Sequence, residues 1–130
     1  MGAQQDGATE PDNLSLAIRG IHTREALARF AGDTARYRHW LAEFITHGPA
    51  ATAQIREAIA HGTRDTAIGL VHSLKGRVGM LGMSELHSIA LSLEVSLRNQ
   101  EPTAFWLDEL ERTTTEMCHE IASALATSAS

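Results

Sequence analysis

The segment from Gly69 to Gly82, which reads GLVHSLKGRVGMLG, contains the residues best suited to chemistry. It holds one histidine, His72, with Lys75 one helical turn further on. Three glycines lie in the same predicted helix: Gly69, Gly76 and Gly79. Each glycine in a helix interior costs about 1 kcal/mol relative to alanine, so their presence needs a reason. At about 100° per residue, all three surround His72 on the side away from the apolar face. The spacing therefore predicts an exposed imidazole on a surface cleared of side chains.

An exposed imidazole of this kind suits a phosphoryl carrier. A neutral imidazole nitrogen can attack an acyl phosphate near physiological pH. The phosphoryl group that it receives is anionic, and the ammonium of Lys75 can compensate that charge. Catalysis of phosphoryl transfer is mostly positioning and electrostatics, so a carrier can leave a metal ion and acidic residues to its partner. A competing explanation is that the glycines allow another helix to approach closely.

The elements that must position His72 are all predicted to be helices. Apolar residues recur at spacings of three and four in four long segments, near 33–62, 63–82, 84–97 and 102–126. Gly48 and Pro49 interrupt the first of these without changing its helical phase, which predicts one kinked helix. Shorter helices are predicted from Pro11 to Gly20 and from Thr23 to Gly32, with Thr23, Asp33 and Ser84 as N-caps. The fold class is therefore all-α, an antiparallel four-helix bundle with short additional N-terminal helices.

Length and charge narrow the classes of function. The 130 residues suit one domain, predicted at 11–126 between a disordered arm at 1–10 and a tail at 127–130. The net charge of −5 disfavours nucleic-acid binding. The single cysteine, Cys118, excludes an internal disulfide, and no apolar run approaches the roughly 20 residues that span a bilayer. We expect a cytoplasmic chain, or the soluble domain of a larger membrane-bound protein, without membrane contact of its own.

The run His72-Ser73-Leu74-Lys75-Gly76, followed by Gly79, Leu81 and Gly82, resembles the signature of histidine phosphotransfer (HPt) domains. The resemblance extends over roughly 21–125 and is compatible with the C-terminal HPt domain of a bacterial hybrid sensor histidine kinase or with a separate protein. It implies a phosphohistidine at His72, a supporting Lys75, and room for a receiver domain at Gly76 and Gly79. One departure is Met80, which occupies a position where the family often has a polar residue such as asparagine.

The resemblance implies a phosphorelay intermediate, which accepts a phosphoryl group from a receiver aspartate and passes it to another receiver. Mg²⁺ would be bound by the receivers, and this chain would bind no cofactor. It would not be an enzyme that uses ATP, because no nucleotide-binding loop is present.

The seven histidines form no i, i+4 pair, which disfavours a metal site. The residues expected at the docking surface are Gly69, Gly76, Gly79, Ile68, Leu91 and Val95.

Two alternatives remain open from the sequence. A helical binding module would dock and regulate a partner protein, with phosphotransfer secondary or absent. Leu91 and Val95, which lie off the apolar face of their helix, favour such a surface. A structural bundle without any site is the other alternative, and the three unexplained glycines argue against it.

Overall fold

The structure is a computed structural model that describes residues 17–129. Within that range the chain forms five helices and no strands, which confirms the all-α prediction. They are α1 (Thr23–Arg29), α2 (Thr34–Ala60), α3 (Arg64–Leu81), α4 (Ser84–Arg98) and α5 (Ala104–Ala129). The predicted arm at 1–10 and residues 11–16 of the helix predicted from Pro11 to Gly20 lie outside the described residues. The described remainder of that prediction is wrong, because residues 17–20 form a turn and not a helix.

The four long helices form the bundle. Each packs on its neighbour in sequence, and α5 packs back on α2 to close the ring, while α1 lies against α2 and α3. Connections of a few residues make successive helices antiparallel. The largest fully buried side chains come from all four long helices and include Tyr37, Phe44, Leu86, Leu93 and Ile121. The helices of the bundle and the residues of its core therefore agree with the apolar stripes that the sequence predicted.

The Gly48-Pro49 pair lies inside a single helix, as the unbroken phase predicted. Pro49 has no N–H to donate to the carbonyl of Ile45. The thiol of Cys118, from α5, lies 3.8 Å from that carbonyl oxygen and 3.8 Å from that of Phe44. A Cβ on Gly48 would lie 2.8 Å from the Phe44 ring, so glycine is required there for packing. Burial raises the pKa of the Cys118 thiol, whose side chain is partly buried against the core.

The helix starts confirm one predicted cap and correct two. The side chain of Asp33 accepts a hydrogen bond from the Arg36 N–H, as expected for an N-cap. Thr23 and Ser84 are instead the first helical residues, and His22 and Met83 occupy the cap positions without a capping hydrogen bond from their side chains. The Ser84 hydroxyl is paired with Nε2 of His22 at 3.0 Å, so a tertiary contact has replaced the local cap.

Gly82 ends α3 in the left-handed region, with φ of 90°, as the helix-stop prediction requires. A Cβ at this position would also lie 2.8 Å from the carbonyl oxygen of His22. We expect Gly82→Ala to lower the free energy of unfolding by about 2–3 kcal/mol, because strain and a backbone collision add. Denaturant unfolding monitored by circular dichroism measures this. Gly62→Ala is the control, since Gly62 has φ of 72° but open space around it. An equal loss of stability in Gly82→Ala and Gly62→Ala would show that the protein relieves the backbone collision, so that only the strain of the positive φ remains.

The last helix is longer than predicted. It continues through Thr127 to Ala129, where the sequence favoured a tail. No helix in the described range 17–129 is long and apolar enough to cross a membrane.

Candidate phosphoryl-acceptor site

His72 lies in the middle of α3 with its side chain 64% exposed. The neighbouring positions Val71 and Leu74 are buried, so the turn is anchored on its apolar face. Helical periodicity then directs His72 outward. The predicted exposure of the imidazole is therefore confirmed.

One edge of the His72 ring is held by Glu94 of α4. The Nδ1 atom lies 3.2 Å from Oε2 of Glu94. Because a carboxylate only accepts hydrogen bonds, Nδ1 carries the proton and donates it. The lone pair of the neutral ring is then on Nε2, the nitrogen that faces away from Glu94. This contact selects the tautomer that a nucleophilic imidazole needs.

Glu94 is a buried carboxylate shared by three cationic or polar groups. Its side chain is only 5% exposed, and its two oxygens contact Lys75, Arg98 and His72. Nζ of Lys75 lies 2.7 Å from Oε1, and Nη2 of Arg98 lies 2.8 Å from Oε2. Burial opposes ionisation of this carboxyl, but hydrogen bonds from Lys75, Arg98 and His72 offset it and lower its pKa to about 2. Glu94 is therefore ionised under all ordinary conditions.

The low pKa of Glu94 predicts an acid-dependent contribution to stability. A carboxyl with a pKa of about 2 in the folded state and 4.5 in the unfolded state stabilises the fold above pH 4.5. That contribution, on the order of 3 kcal/mol, is lost as the pH falls toward 2. We expect Glu94→Gln to be less stable than the wild type near pH 6, with the difference shrinking below pH 4.5. Urea unfolding of both proteins at a series of pH values measures this difference in stability. A difference that does not change with pH would contradict the low pKa of Glu94.

Lys75 lies near His72 as predicted, but its positive charge is already paired with a carboxylate. Its side chain is 20% exposed and forms the ion pair with Glu94. Arg98, which the sequence analysis did not select, shares the same carboxylate from an exposed position. Two cations therefore surround one anion, and the cluster of Lys75, Arg98 and Glu94 keeps one positive charge in excess beside His72. That surplus favours an incoming phosphoryl group.

The three glycines do not share one role. A Cβ on Gly69 or Gly76 would meet no atom within 4 Å, so both positions are open surface beside His72. A Cβ on Gly79 would instead lie 3.0 Å from Cδ2 of His87, a half-buried ring on α4. The competing explanation, close helix packing, thus holds for Gly79. The prediction that all three glycines clear the solvent side is wrong for that one.

Open space at Gly76 predicts a variant that is more stable. Gly76→Ala should raise the free energy of unfolding by about 0.5–1 kcal/mol, because alanine has the higher helix propensity and nothing obstructs its methyl group. Gly79→Ala is the matched comparison, and we expect no gain there because the His87 ring must move. Urea unfolding of both proteins measures the difference. Equal stabilisation of both would contradict the distinction between open and packed glycines.

The remaining predicted docking residues differ in exposure. Leu91 and Val95 are 43% and 44% exposed on α4, as expected. Ile68 is half-buried and packs against the core, which leaves less of it for a partner. No group of His, Cys, Asp or Glu side chains in residues 17–129 has the arrangement of a metal site.

Sequence reasoning missed Glu94 and Arg98 as members of the site. The available signal was a single acid in the apolar stripe of α4, four residues after Ala90 and three before Leu97. A carboxylate at a core position is rarely left unpaired. Its partners on α3 are 19 and 22 residues away in sequence, so only the packing of two helices reveals them.

Comparison with known proteins agrees with this geometry. A family model described as Hpt domain matches residues 39–127, more than half of the chain, and the match includes His72, Lys75, Glu94 and Arg98. None of the curated proteins and none of the solved structures matches the chain significantly.

Proposed function

The chain belongs to the Hpt domain family, and on that premise we propose that it is a phosphorelay intermediate whose phospho-acceptor is His72. Hpt domains are phosphotransfer carriers in two-component signalling, and they typically exchange phosphate with receiver domains. In this proposal one receiver supplies the phosphoryl group from an aspartyl phosphate, and the aspartate of another receives it. In this proposal the domain receives its phosphoryl group from a receiver and not from ATP.

The observation that carries the proposal is the hydrogen bond from Nδ1 of His72 to Glu94, at 3.2 Å. It leaves the lone pair of Nε2 on the exposed side of the ring. A buried ring would be out of reach of a second protein, and a ring held through Nε2 would have its lone pair on Nδ1, the nitrogen nearer the backbone. The exposed fraction of 64% allows the approach of a second protein.

The transfer step follows from these positions. The lone pair of Nε2 attacks phosphorus, an N–P bond forms, and the P–O bond to the donor aspartate breaks with its electrons on the leaving carboxylate. The proton stays on Nδ1, so the ring becomes a phosphorylated imidazolium that Glu94 stabilises. In the return step an aspartate of the second receiver attacks phosphorus, and the N–P bond breaks to restore the neutral ring. Mg²⁺ on the receiver would neutralise the transferring group, and this chain would supply Lys75 and Arg98.

The test is phosphotransfer from a phosphorylated receiver with Mg²⁺. We expect phosphate on the peptide that contains His72, with the acid-labile and base-stable behaviour of a phosphohistidine. Mass spectrometry of the intact protein and of its peptides identifies the site. Absence of transfer from several receivers, with the bundle folded, would contradict the proposal.

The alternative of a binding module has one observation in its favour, the exposure of Leu91 and Val95 on α4. In that reading the bundle docks and regulates a further protein, and His72 is secondary. A His72→Gln chain that keeps every biological effect in cells would favour the binding module over the relay.

A further inference from the structure

The outward face of α4 carries no charge along its middle two turns. Leu91 and Val95 are 43% and 44% exposed there, although both are large aliphatic residues. The other two residues of this face are small, since Ser88 is exposed and Ser92 is half-buried. All four lie at spacings of three and four, so they share the side of the helix that points away from the core. We call these four residues the α4 stripe.

The α4 stripe is bounded by opposite charges. Glu85 lies in the first turn of the helix and Arg98 in the last. Glu85 is exposed and has no ion pair within residues 17–129. Arg98 is 56% exposed and shares the carboxylate of Glu94 with Lys75, which already compensates that charge. A partner therefore meets a negative charge at one end of the stripe and a positive charge at the other.

This face is complementary to itself when two copies meet with their α4 helices antiparallel. With the centre of the pair between residues 91 and 92, Val95 of each copy lies opposite Ser88 of the other. Leu91 then faces Ser92 of the other copy and lies beside its Leu91. Large side chains therefore fit over small ones, as close packing of two helices requires.

The same register brings the charges together. Arg98 of each copy lies level with Glu85 of the other, so the contact contains two identical ion pairs. A parallel pair of helices would instead place Glu85 level with Glu85 and Arg98 level with Arg98, and like charges in contact are unfavourable. Side-chain size and charge thus favour one orientation and one register.

We propose that the α4 stripe is a self-association surface, on which a second copy of this chain binds through an antiparallel α4 pair with two-fold symmetry. The same patch is used by both copies, so the assembly closes at two. One helix of 15 residues offers less than the roughly 1,200 Å² of a stable interface, so the pairing is weak and depends on concentration. The proposal does not depend on the phosphorelay function.

The two-fold arrangement also determines where the candidate acceptors lie. The contact between His72 and Glu94 is on the side of α4 that faces α3. Rotation about an axis between the two α4 helices leaves this side on the same face of the pair. Both His72 side chains are therefore on one face of the assembly, beside the contact between the copies.

The test is the molar mass of the chain over a series of concentrations, measured by sedimentation equilibrium. We expect the mass to rise from one copy toward two and to stop there. Leu91→Asp should keep the chain monomeric at concentrations where the wild type pairs, because two carboxylates would meet at the centre of the contact. Phe105→Asp is the matched control, since Phe105 is 64% exposed on α5, outside the stripe.

Reversal of charge tests the antiparallel register itself. Glu85→Arg and Arg98→Glu should each weaken self-association, because like charges then meet at both ends of the contact. A mixture of the two variants should restore pairing, since each end of the mixed pair again joins a carboxylate to a guanidinium. Glu25→Arg is the control for net charge, since Glu25 is an exposed acid on α1.

Three results would overturn the proposal. A wild type that stays monomeric at every concentration would leave the stripe to a different protein. Equal effects of Leu91→Asp and Phe105→Asp would show that association does not use the stripe. A mixture of Glu85→Arg and Arg98→Glu that stays monomeric, with both variants folded by circular dichroism, would exclude the antiparallel register.

Discussion

Replacing His72 with glutamine is expected to reduce phosphorylation of the chain to background with every receiver, while the fold is unchanged. Glutamine has no nucleophilic nitrogen, so no N–P bond can form. Its amide N–H can still donate to Glu94, and the side chain it replaces is 64% exposed. We therefore expect the free energy of unfolding to change by no more than about 0.5 kcal/mol. Phosphate incorporation and urea unfolding of the same sample measure the two parts.

The control for this prediction is another exposed histidine of the bundle. His119 is exposed on α5 and has no place in the cluster around Glu94. His119→Gln should therefore accept phosphate as the wild type does. Phosphate that persists in His72→Gln would mean that a different residue is the acceptor, and the site would have to be sought elsewhere.

Glu94→Gln is expected to slow phosphotransfer by about 10- to 100-fold without removing the acceptor. The substitution removes the charge that stabilises the phosphorylated imidazolium. It also weakens the selection of the tautomer with the proton on Nδ1, because an amide can donate to that nitrogen as well as accept from it. Lys75 and Arg98 lose their shared partner, and their two charges are then uncompensated beside the ring. Single-turnover rates with a fixed excess of phosphorylated receiver measure the loss.

A purely structural role of Glu94 can be distinguished from an effect on the His72 ring by a second measurement. The ¹⁵N chemical shifts of the His72 ring report which nitrogen carries the proton, and they should change in Glu94→Gln if the carboxylate selects the tautomer. Glu111→Gln is the matched control, since Glu111 forms an ion pair with Arg56 between α2 and α5, away from His72. Unchanged ring shifts together with a slower rate would show that Glu94 acts through stability or docking alone.

The sequence by itself determined the helices and identified His72 as the candidate acceptor. Apolar spacings of three and four are local, and they predicted the buried faces of α2 to α5 as well as the outward direction of His72. Gly82 and Asp33 are local signals too, since a positive φ and an N-cap depend on a few neighbouring residues. The motif around His72 and Lys75 is contained in one turn of helix, so no tertiary contact was needed to recognise it.

Only the tertiary structure decided what surrounds the acceptor. Lys75, predicted as a free counter-charge, is paired with a buried carboxylate on another helix, and Gly79 makes room for a ring of that same helix. A groove beside His72 is likewise lined by Phe30 at the end of α1, by Trp40 of α2 and by Met80 of α3. The physical reason is common to all three cases. A periodic pattern states which face of a helix is buried, but the packing angle and register between helices determine which charges and rings meet there.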